Sequence, residues 1–220
     1  MAPQPTWLDL YNYRKIVGAL YRSCHDRLRR GEDAATVWQA FRNLKDALYR
    51  GHPQSPLAPE DRGGFAGLRY FAYDPTWRVL ATLTPEPTES QTELPASGAH
   101  AMQFRRAARA RFSRDGTDFD LVVYWIDVYG GGLFLPFRDG SNTTETYGGG
   151  RYLFDTVKGS DFEQVDGGSV GGYLGGRVIL DFNYAYNPSC TYDARWVCPL
   201  APPENRLSAA IRAGELAFHP

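Results

Sequence analysis

The sequence lacks an excess of charge of either sign and has no long apolar run. Its 220 residues include 24 basic and 25 acidic side chains, for a formal net charge of −1. Nucleic-acid binding depends on excess positive charge, and a membrane-spanning helix needs about 18 or more apolar residues in succession. The sequence therefore predicts a protein that binds neither nucleic acid nor membrane.

Cysteine is also scarce, with three residues in the chain. A small odd number does not make a disulfide framework and is typical of a reducing compartment. The first ten residues, MAPQPTWLDL, do not form the basic, apolar and small-residue regions of a secretory signal. Together these features predict a cytoplasmic protein, in which the sequon at Asn142 carries no glycan.

Recognisable metal and nucleotide motifs are missing as well. The sequence has no CxxC or HxxxH spacing, whereas a structural zinc site normally needs four Cys or His ligands. The glycine run at 148–150 matches neither the dinucleotide fingerprint nor the phosphate-binding loop, because no helix pattern follows it. We expect no metal and no cofactor.

Apolar and aromatic residues, at 43% and 14% of the chain, are abundant enough to form a substantial core. We expect a helical hairpin over residues 1–54 and a β-rich main domain over 55–220 with an ordered, proline-rich C-terminal loop. Thr6 and Asp33 are the predicted N-caps of the two helices, and Gly31 and Gly51 their predicted ends.

From Phe65 onward the apolar pattern changes to the period of two that is typical of strands. Asp115-Gly116 is suited to a tight hairpin turn. Loops are predicted at Thr84–Gly98 and Gly159–Gly176. The predicted strands are Leu68–Tyr73, Trp77–Leu83 (paired with the first through Asp74-Pro75), Ala108–Ser113, Phe119–Ile126, Leu133–Phe137, Arg151–Val157 and Val178–Tyr186.

Because no helix pattern alternates with these strands, the sequence does not favour a parallel doubly wound sheet. The predicted fold class is α+β, mainly β: an antiparallel β-meander that closes into a barrel or strongly bent sheet, with an N-terminal helical hairpin. Such a sheet forms a cavity mouth in which small ligands usually bind.

The segment Asp181–Leu207 is the richest in polar side chains and prolines, and it predicts an ordered loop. Arg151, just after the glycine run, has a guanidinium suited to an anion; its alternative role is an ion pair with Asp155 or Asp181. Asp181 and Asn183, two residues apart on a predicted strand, should share one face. The candidate ligand-binding residues are Arg151, Tyr147, Asp181, Asn183, Tyr186, Asn187, Tyr192 and Asn205.

Cys190 and Cys198 are separated by seven residues in the same segment. Three interpretations remain open: a disulfide that closes the loop, a pair of metal ligands, or a nucleophile at Cys190 with its pKa lowered by Arg195. Two buried structural thiols or a disulfide are favoured over the metal. Asp181 is the alternative catalytic candidate, as a general base.

Several long motifs resemble the bacterial family catalogued as domain of unknown function 1684. The resemblance spans roughly residues 40–216 and leaves the first helix outside it. It implies no activity, cofactor or catalytic residue. The motifs are GLRYF at 67–71, YGGGRYL at 147–153, DFNYAYNPSCTY at 181–192, CPLAPPENRL at 198–207 and IRAGE at 211–215.

The leading functional hypothesis is the binding of a small anionic or polar ligand in a barrel-type pocket. One alternative is a hydrolase or transferase that uses Cys190 or Asp181. The other is a structural or interaction module that docks a protein partner through Pro199–Pro203. The sequence does not specify an oligomeric state.

Overall fold

Two antiparallel helices open the chain, as the sequence predicts. The computed structural model describes residues 5–86, 91–98, 102–165 and 176–219. Helix α1 spans Trp7–Arg29, and Thr6 caps it in a capping box with Asp9; helix α2 spans Ala34–Gly51, with Asp33 accepting from the Thr36 amide. Gly31 takes the left-handed conformation between them, with φ of 78°. The division into domains at residues 54 and 55 stays a prediction.

The rest of the described chain forms one antiparallel sheet of eight strands, curled into a half-barrel. The mainly β, α+β fold class is therefore confirmed. The strands are β1 (Arg78–Pro85), β2 (Gln91–Leu94), β3 (Met102–Arg114), β4 (Thr117–Ile126), β5 (Leu133–Phe137), β6 (Arg151–Asp155), β7 (Glu163–Gln164) and β8 (Gly176–Asp181).

The strand order is β6-β5-β4-β3-β1-β8-β7, with β2 also paired to β3. The order departs from a simple meander because β8 returns to pair with β1 at the far side of the sheet. Strand β4 is central, and Leu121, Val122, Val123 and Tyr124 are all buried. This confirms the prediction that β4 is covered on both faces.

The predicted hairpin at Asp115-Gly116 is confirmed and joins β3 to β4. Asp115 and Gly116 have φ of 51° and 75°, which two-residue hairpin turns need to match the twist of their strands. Aspartate is among the few residues that tolerate this conformation besides glycine. Local chemistry thus determines where the longest strand pair turns.

Four local predictions are wrong. Leu68–Tyr73 is not a strand paired with β1; within it Tyr70 bridges Glu215 near the C-terminus. The predicted strand Val178–Tyr186 ends at Asp181, because residues 182–184 form a short 3-10 helix. The predicted loop Thr84–Gly98 contains β2, and the predicted loop Gly159–Gly176 contains β7. Residues 87–90 of the first loop and 166–175 of the second lie outside the described part of the chain.

Four apolar clusters form the core of the described residues. The largest includes Phe112, Phe137 and Phe182. The hairpin core packs Trp38 and Phe41 against Tyr184, which follows β8. In the described ranges, no helix has the length and apolar character needed to cross a membrane.

The β3–β4 turn gives a direct test of the hairpin. A Cβ added at Gly116 would have no atom within 4 Å, so Gly116→Ala adds backbone strain alone. We expect a loss of about 1 kcal/mol in the free energy of unfolding, measured by urea denaturation. Gly63→Ala is the matched control, since Gly63 has equal space without positive φ. Equal stability of the two variants would contradict the turn assignment.

Candidate functional site

A cleft of about 870 Å³ lies between the helical hairpin and the half-barrel. Its walls come from residues 5–21 at the start of the chain and in α1, from residues 41–49 of α2, from residues 53–56 after it, from residues 152–160 around the end of β6, and from residues 186–198. The cleft therefore exists only where the hairpin docks on the sheet and its C-terminal loop.

Aromatic rings form much of the wall. Tyr13 and Tyr21 come from α1, Phe41 and Tyr49 from α2, and Tyr186 from the C-terminal loop. Burial raises the pKa of Tyr21, Tyr49 and Tyr186 well above the ordinary tyrosine range. These phenols therefore remain neutral at physiological pH.

The charged residues of the wall are all basic. They are Arg14, Lys45, Lys158 and Arg195, and none of the described lining residues is Asp or Glu. Lys45 pairs with Glu215 at 2.7 Å, and Arg195 pairs with Asp193 at 3.0 Å. Each of these two cations is thus neutralised by an acid that does not line the cleft.

Arg14 and Lys158 meet at one rim of the cleft because residues 156–159 pack closely on α1. Gly159 has φ of 94°, and a Cβ on it would lie 2.7 Å from the Arg14 carbonyl oxygen and 2.8 Å from the Gly18 nitrogen. The Lys158 side chain is 43% exposed and lies 3.3 Å from Asp155; Arg14 is exposed. This rim holds two cations that solvent and a ligand can reach.

The Glu215 carboxylate lies behind the wall and was missed by the sequence analysis. It is 1% exposed and accepts from four donors. One oxygen accepts from Lys45 Nζ at 2.7 Å and the Tyr70 hydroxyl at 3.1 Å; the other accepts from the Tyr192 hydroxyl at 2.6 Å and the Asn187 amide at 2.8 Å. Its place at the end of the IRAGE motif was the available signal.

Arg151 lies in the protein interior and does not line the cleft. It is fully buried, and its acidic partner is Asp139, at 2.8 Å, rather than Asp155 or Asp181. The same guanidinium donates to the carbonyl oxygens of Ile211 at 2.8 Å, Glu215 at 3.2 Å and Ala213. The guanidinium therefore anchors the C-terminal segment.

Asp181 and Asn183 also make internal contacts. The expectation that they share a strand face is wrong, because the strand ends at Asp181, which caps the following 3-10 helix. Asn183 accepts from the Asp74 amide and donates to the Asp74 carbonyl oxygen, both at 2.9 Å. Together they fix the turn that precedes β1.

Asn205 and Tyr192 are held inside the protein in the same way. The Asn205 side chain donates to the carbonyl oxygens of Val122 and Pro136 at 2.8 and 2.7 Å and accepts from the Val122 amide at 2.8 Å. Tyr192 is 3% exposed and donates to Glu215. Both residues join the C-terminal segment to the rest of the molecule.

Two of the predicted ligand residues, Tyr186 and Asn187, do line the cleft. The Tyr186 hydroxyl shares a 2.8 Å hydrogen bond with Ser160, another wall residue, and the Asn187 side chain donates to the Leu216 carbonyl oxygen at 2.8 Å. Tyr147 instead lies beside Cys190, with its hydroxyl 3.9 Å from the sulfur.

Cys190 and Cys198 are adjacent free thiols. The Cys190 amide donates to the Cys198 sulfur at 3.4 Å. The pKa of Cys190 is lowered, chiefly by a hydrogen bond from Cys198, whose own pKa is raised by the same contact. The expected cause was Arg195, but its guanidinium contacts Asp193 and donates to the Ser55 carbonyl oxygen.

The proline segment that was considered as a docking site is mostly packed. Pro199, Ala201 and Pro202 are buried, and Pro203 is exposed. Among the described residues, no group of three or more His, Cys, Asp or Glu side chains is arranged to hold a metal ion. The cleft is therefore the feature of this region that offers space to a ligand.

The chain belongs to the family described as protein of unknown function (DUF1684), whose sequence profile matches residues 63–216. The match begins after α2, later than the resemblance indicated. A similar solved structure is the solution NMR structure of an uncharacterized protein from Haloarcula marismortui. It is 34% identical, covers 86% of this chain and 96% of that chain, and has a TM-score of 0.59. A search of curated proteins found no significant match.

Asp181 gives a testable pH dependence. Burial raises its pKa from 3.8 to about 6, so the folded protein binds this proton more tightly than the unfolded chain does. The stability that this protonated carboxyl contributes is therefore lost as pH rises from about 4 to about 6. Asp181→Asn retains an oxygen that can accept from Asn183, and we expect it to gain up to about 3 kcal/mol relative to wild type across this window.

The measurement is urea denaturation of both proteins from pH 4 to pH 8. The neighbouring Arg78, Glu163 and His25 are present in both proteins, so the difference between the two reports the substitution at Asp181. A variant that instead loses stability relative to wild type as pH rises would show that Arg78, 3.6 Å away, stabilises the Asp181 carboxylate.

Proposed function

We propose that this protein binds a small anionic molecule with an apolar or aromatic body, held in the cleft between the helical hairpin and the half-barrel. The observation that carries this proposal is the composition of the wall: aromatic and aliphatic side chains, four cations and, among its described residues, no acid. Ligand pockets of this size are typically apolar, with a few polar groups that orient the ligand.

The anionic group would contact Arg14 and Lys158 at the rim. Lys45 is buried with Glu215, and Arg195 pairs with Asp193 and donates to the Ser55 carbonyl oxygen. Lys158 also pairs with Asp155, but its side chain is 43% exposed. Two like charges on one rim repel each other, and a bound carboxylate or phosphate would relieve that repulsion. Charge-assisted hydrogen bonds from both side chains would then fix the ligand's orientation.

The apolar body would lie along α1, whose Leu10, Tyr13 and Val17 line the cleft together with Tyr49 and Tyr186. Trp7, also in the wall, is 85% exposed, so a ligand at this end would cover apolar surface that now faces water. Removing that surface from water contributes roughly 25 cal/mol per Å².

This proposal retains a small-molecule ligand but places it away from Arg151, Asp181, Asn183 and Asn205, which are engaged internally. It also has more support than the enzyme alternative. The side chains that lower the pKa of Cys190 are Cys198, Ser97 and Tyr147, none of which is the histidine base that an acyl- or glycosyl-transferring cysteine uses. We also propose the cytoplasmic location expected from the small, odd number of cysteines.

The test is isothermal titration with sodium dodecanoate below its micelle concentration. We expect one molecule to bind per chain, and we expect Arg14→Gln and Lys158→Gln each to weaken binding about tenfold, the loss of one charge-assisted hydrogen bond. Dodecyltrimethylammonium, with the same chain and the opposite charge, should bind more weakly still.

Lys15→Gln is the matched control, since Lys15 follows Arg14 directly in α1 but lies outside the cleft wall. It should bind dodecanoate as wild type does. Equal affinity for the anionic and cationic surfactants, or equal losses in all three variants, would refute the proposed site.

A further inference from the structure

The two cysteines of the C-terminal loop form a pair beside the cleft. Cys190 lies in a short 3-10 helix, Ser189–Thr191, and is half-buried. Cys198 is 2% exposed and lines the cleft. The 3.4 Å bond from the Cys190 amide to the Cys198 sulfur shows how closely the two residues approach. They are close enough for direct thiol chemistry.

Polar groups surround this pair and favour a thiolate at Cys190. Cys198, Ser97 and Tyr147 lower the pKa of Cys190, and the Tyr147 hydroxyl lies 3.9 Å from its sulfur. Ser97 also fixes Cys198, because the Cys198 amide donates to the Ser97 hydroxyl and the Ser97 amide donates to the Cys198 carbonyl oxygen, both at 2.9 Å. Ser97, which is 101 residues before Cys198 in the chain, thus holds Cys198 in place.

Cys24 provides an internal contrast. It is 4% exposed in the apolar core of the hairpin, and burial raises its pKa to about 11. A buried thiol in apolar surroundings is inert, whereas a partly exposed thiolate with polar neighbours is the reactive form of cysteine. The same chain therefore contains a reactive candidate and an unreactive one.

We propose that Cys190 and Cys198 are a reversible dithiol that hydroperoxides oxidise to a disulfide, with Cys190 as the attacking thiol and Cys198 as the resolving thiol. This assignment is independent of the proposed ligand. It is a modification site on the wall of the cleft, so oxidation would alter that wall.

The chemistry has two steps. The Cys190 thiolate attacks one oxygen of the hydroperoxide; the S–O bond forms, the O–O bond breaks, sulfur gives up two electrons, and the alkoxide or hydroxide leaves and takes a proton from solvent. Cys198 then attacks the sulfenic sulfur; the S–S bond forms, the S–O bond breaks, and hydroxide leaves with the Cys198 proton as water. A dithiol reductant reverses the change.

The first experiment treats the reduced full-length protein with one equivalent of hydrogen peroxide and measures its intact mass. We expect a loss of two hydrogens that dithiothreitol restores. Trypsin cuts after Arg177, Arg195 and Arg206, so the disulfide should join peptide 178–195 to peptide 196–206. Three free thiols after treatment, or a link to Cys24, would refute the proposal.

Variants assign the roles of the two thiols. Cys198→Ser should leave a sulfenic acid on Cys190 that dimedone traps, Cys190→Ser should give no adduct and no disulfide, and the control Cys24→Ser should behave as wild type. The assignment would be overturned if Cys198 in the Cys190→Ser variant were oxidised at the wild-type rate and then labelled by dimedone.

A pH profile separates a chemical role of Tyr147 from a structural one. Alkylation of Cys190 by iodoacetamide should reach half its maximal rate below pH about 8.5, the ordinary cysteine pKa. At pH 7 Cys190 should be alkylated at least about tenfold faster than Cys24. Tyr147→Phe should move the midpoint upward. A midpoint at or above the ordinary value in wild type would contradict the thiolate at Cys190.

Discussion

The buried carboxylate of Glu215 is the group on which the assembly of this protein depends. Its donors come from α2, from the segment before β1 and from the loop after β8, so one side chain joins three parts of the chain to the C-terminal segment. A buried charge is tolerated only when its partners satisfy it. The hairpin and the loop must therefore dock together for Glu215 to be accommodated.

Arg151 completes this arrangement from the other side of the same segment. Its guanidinium pairs with Asp139 and donates to three carbonyl oxygens between residues 211 and 215. Two buried charges thus hold the C-terminal segment in place, and the cleft is the space left between the docked hairpin and the half-barrel. Because Glu215 neutralises Lys45 and Asp193 pairs with Arg195, the positive charge that a ligand would contact lies at Arg14 and at the part-exposed Lys158, which also pairs with Asp155.

The fold could be predicted where short-range chemistry determines it. Thr6, Asp33 and Asp115-Gly116 act within a few residues of themselves, and each was assigned its observed role. The site could not be predicted in this way, because Lys45 and Glu215 are 170 residues apart and no local pattern pairs them. Arg151 was recognised as special, but its partner Asp139 and its burial depend on how β5 and β6 pack against the C-terminal segment.

The most direct test of this account is a double-mutant cycle on the free energy of unfolding, with Lys45→Met, Glu215→Gln and the double variant. Each single variant leaves a buried polar group without its partner and should lose about 3 kcal/mol. The double variant should lose less than the sum, with a coupling of at least about 1 kcal/mol. Additive losses would contradict the claim that this ion pair docks the hairpin and forms the cleft.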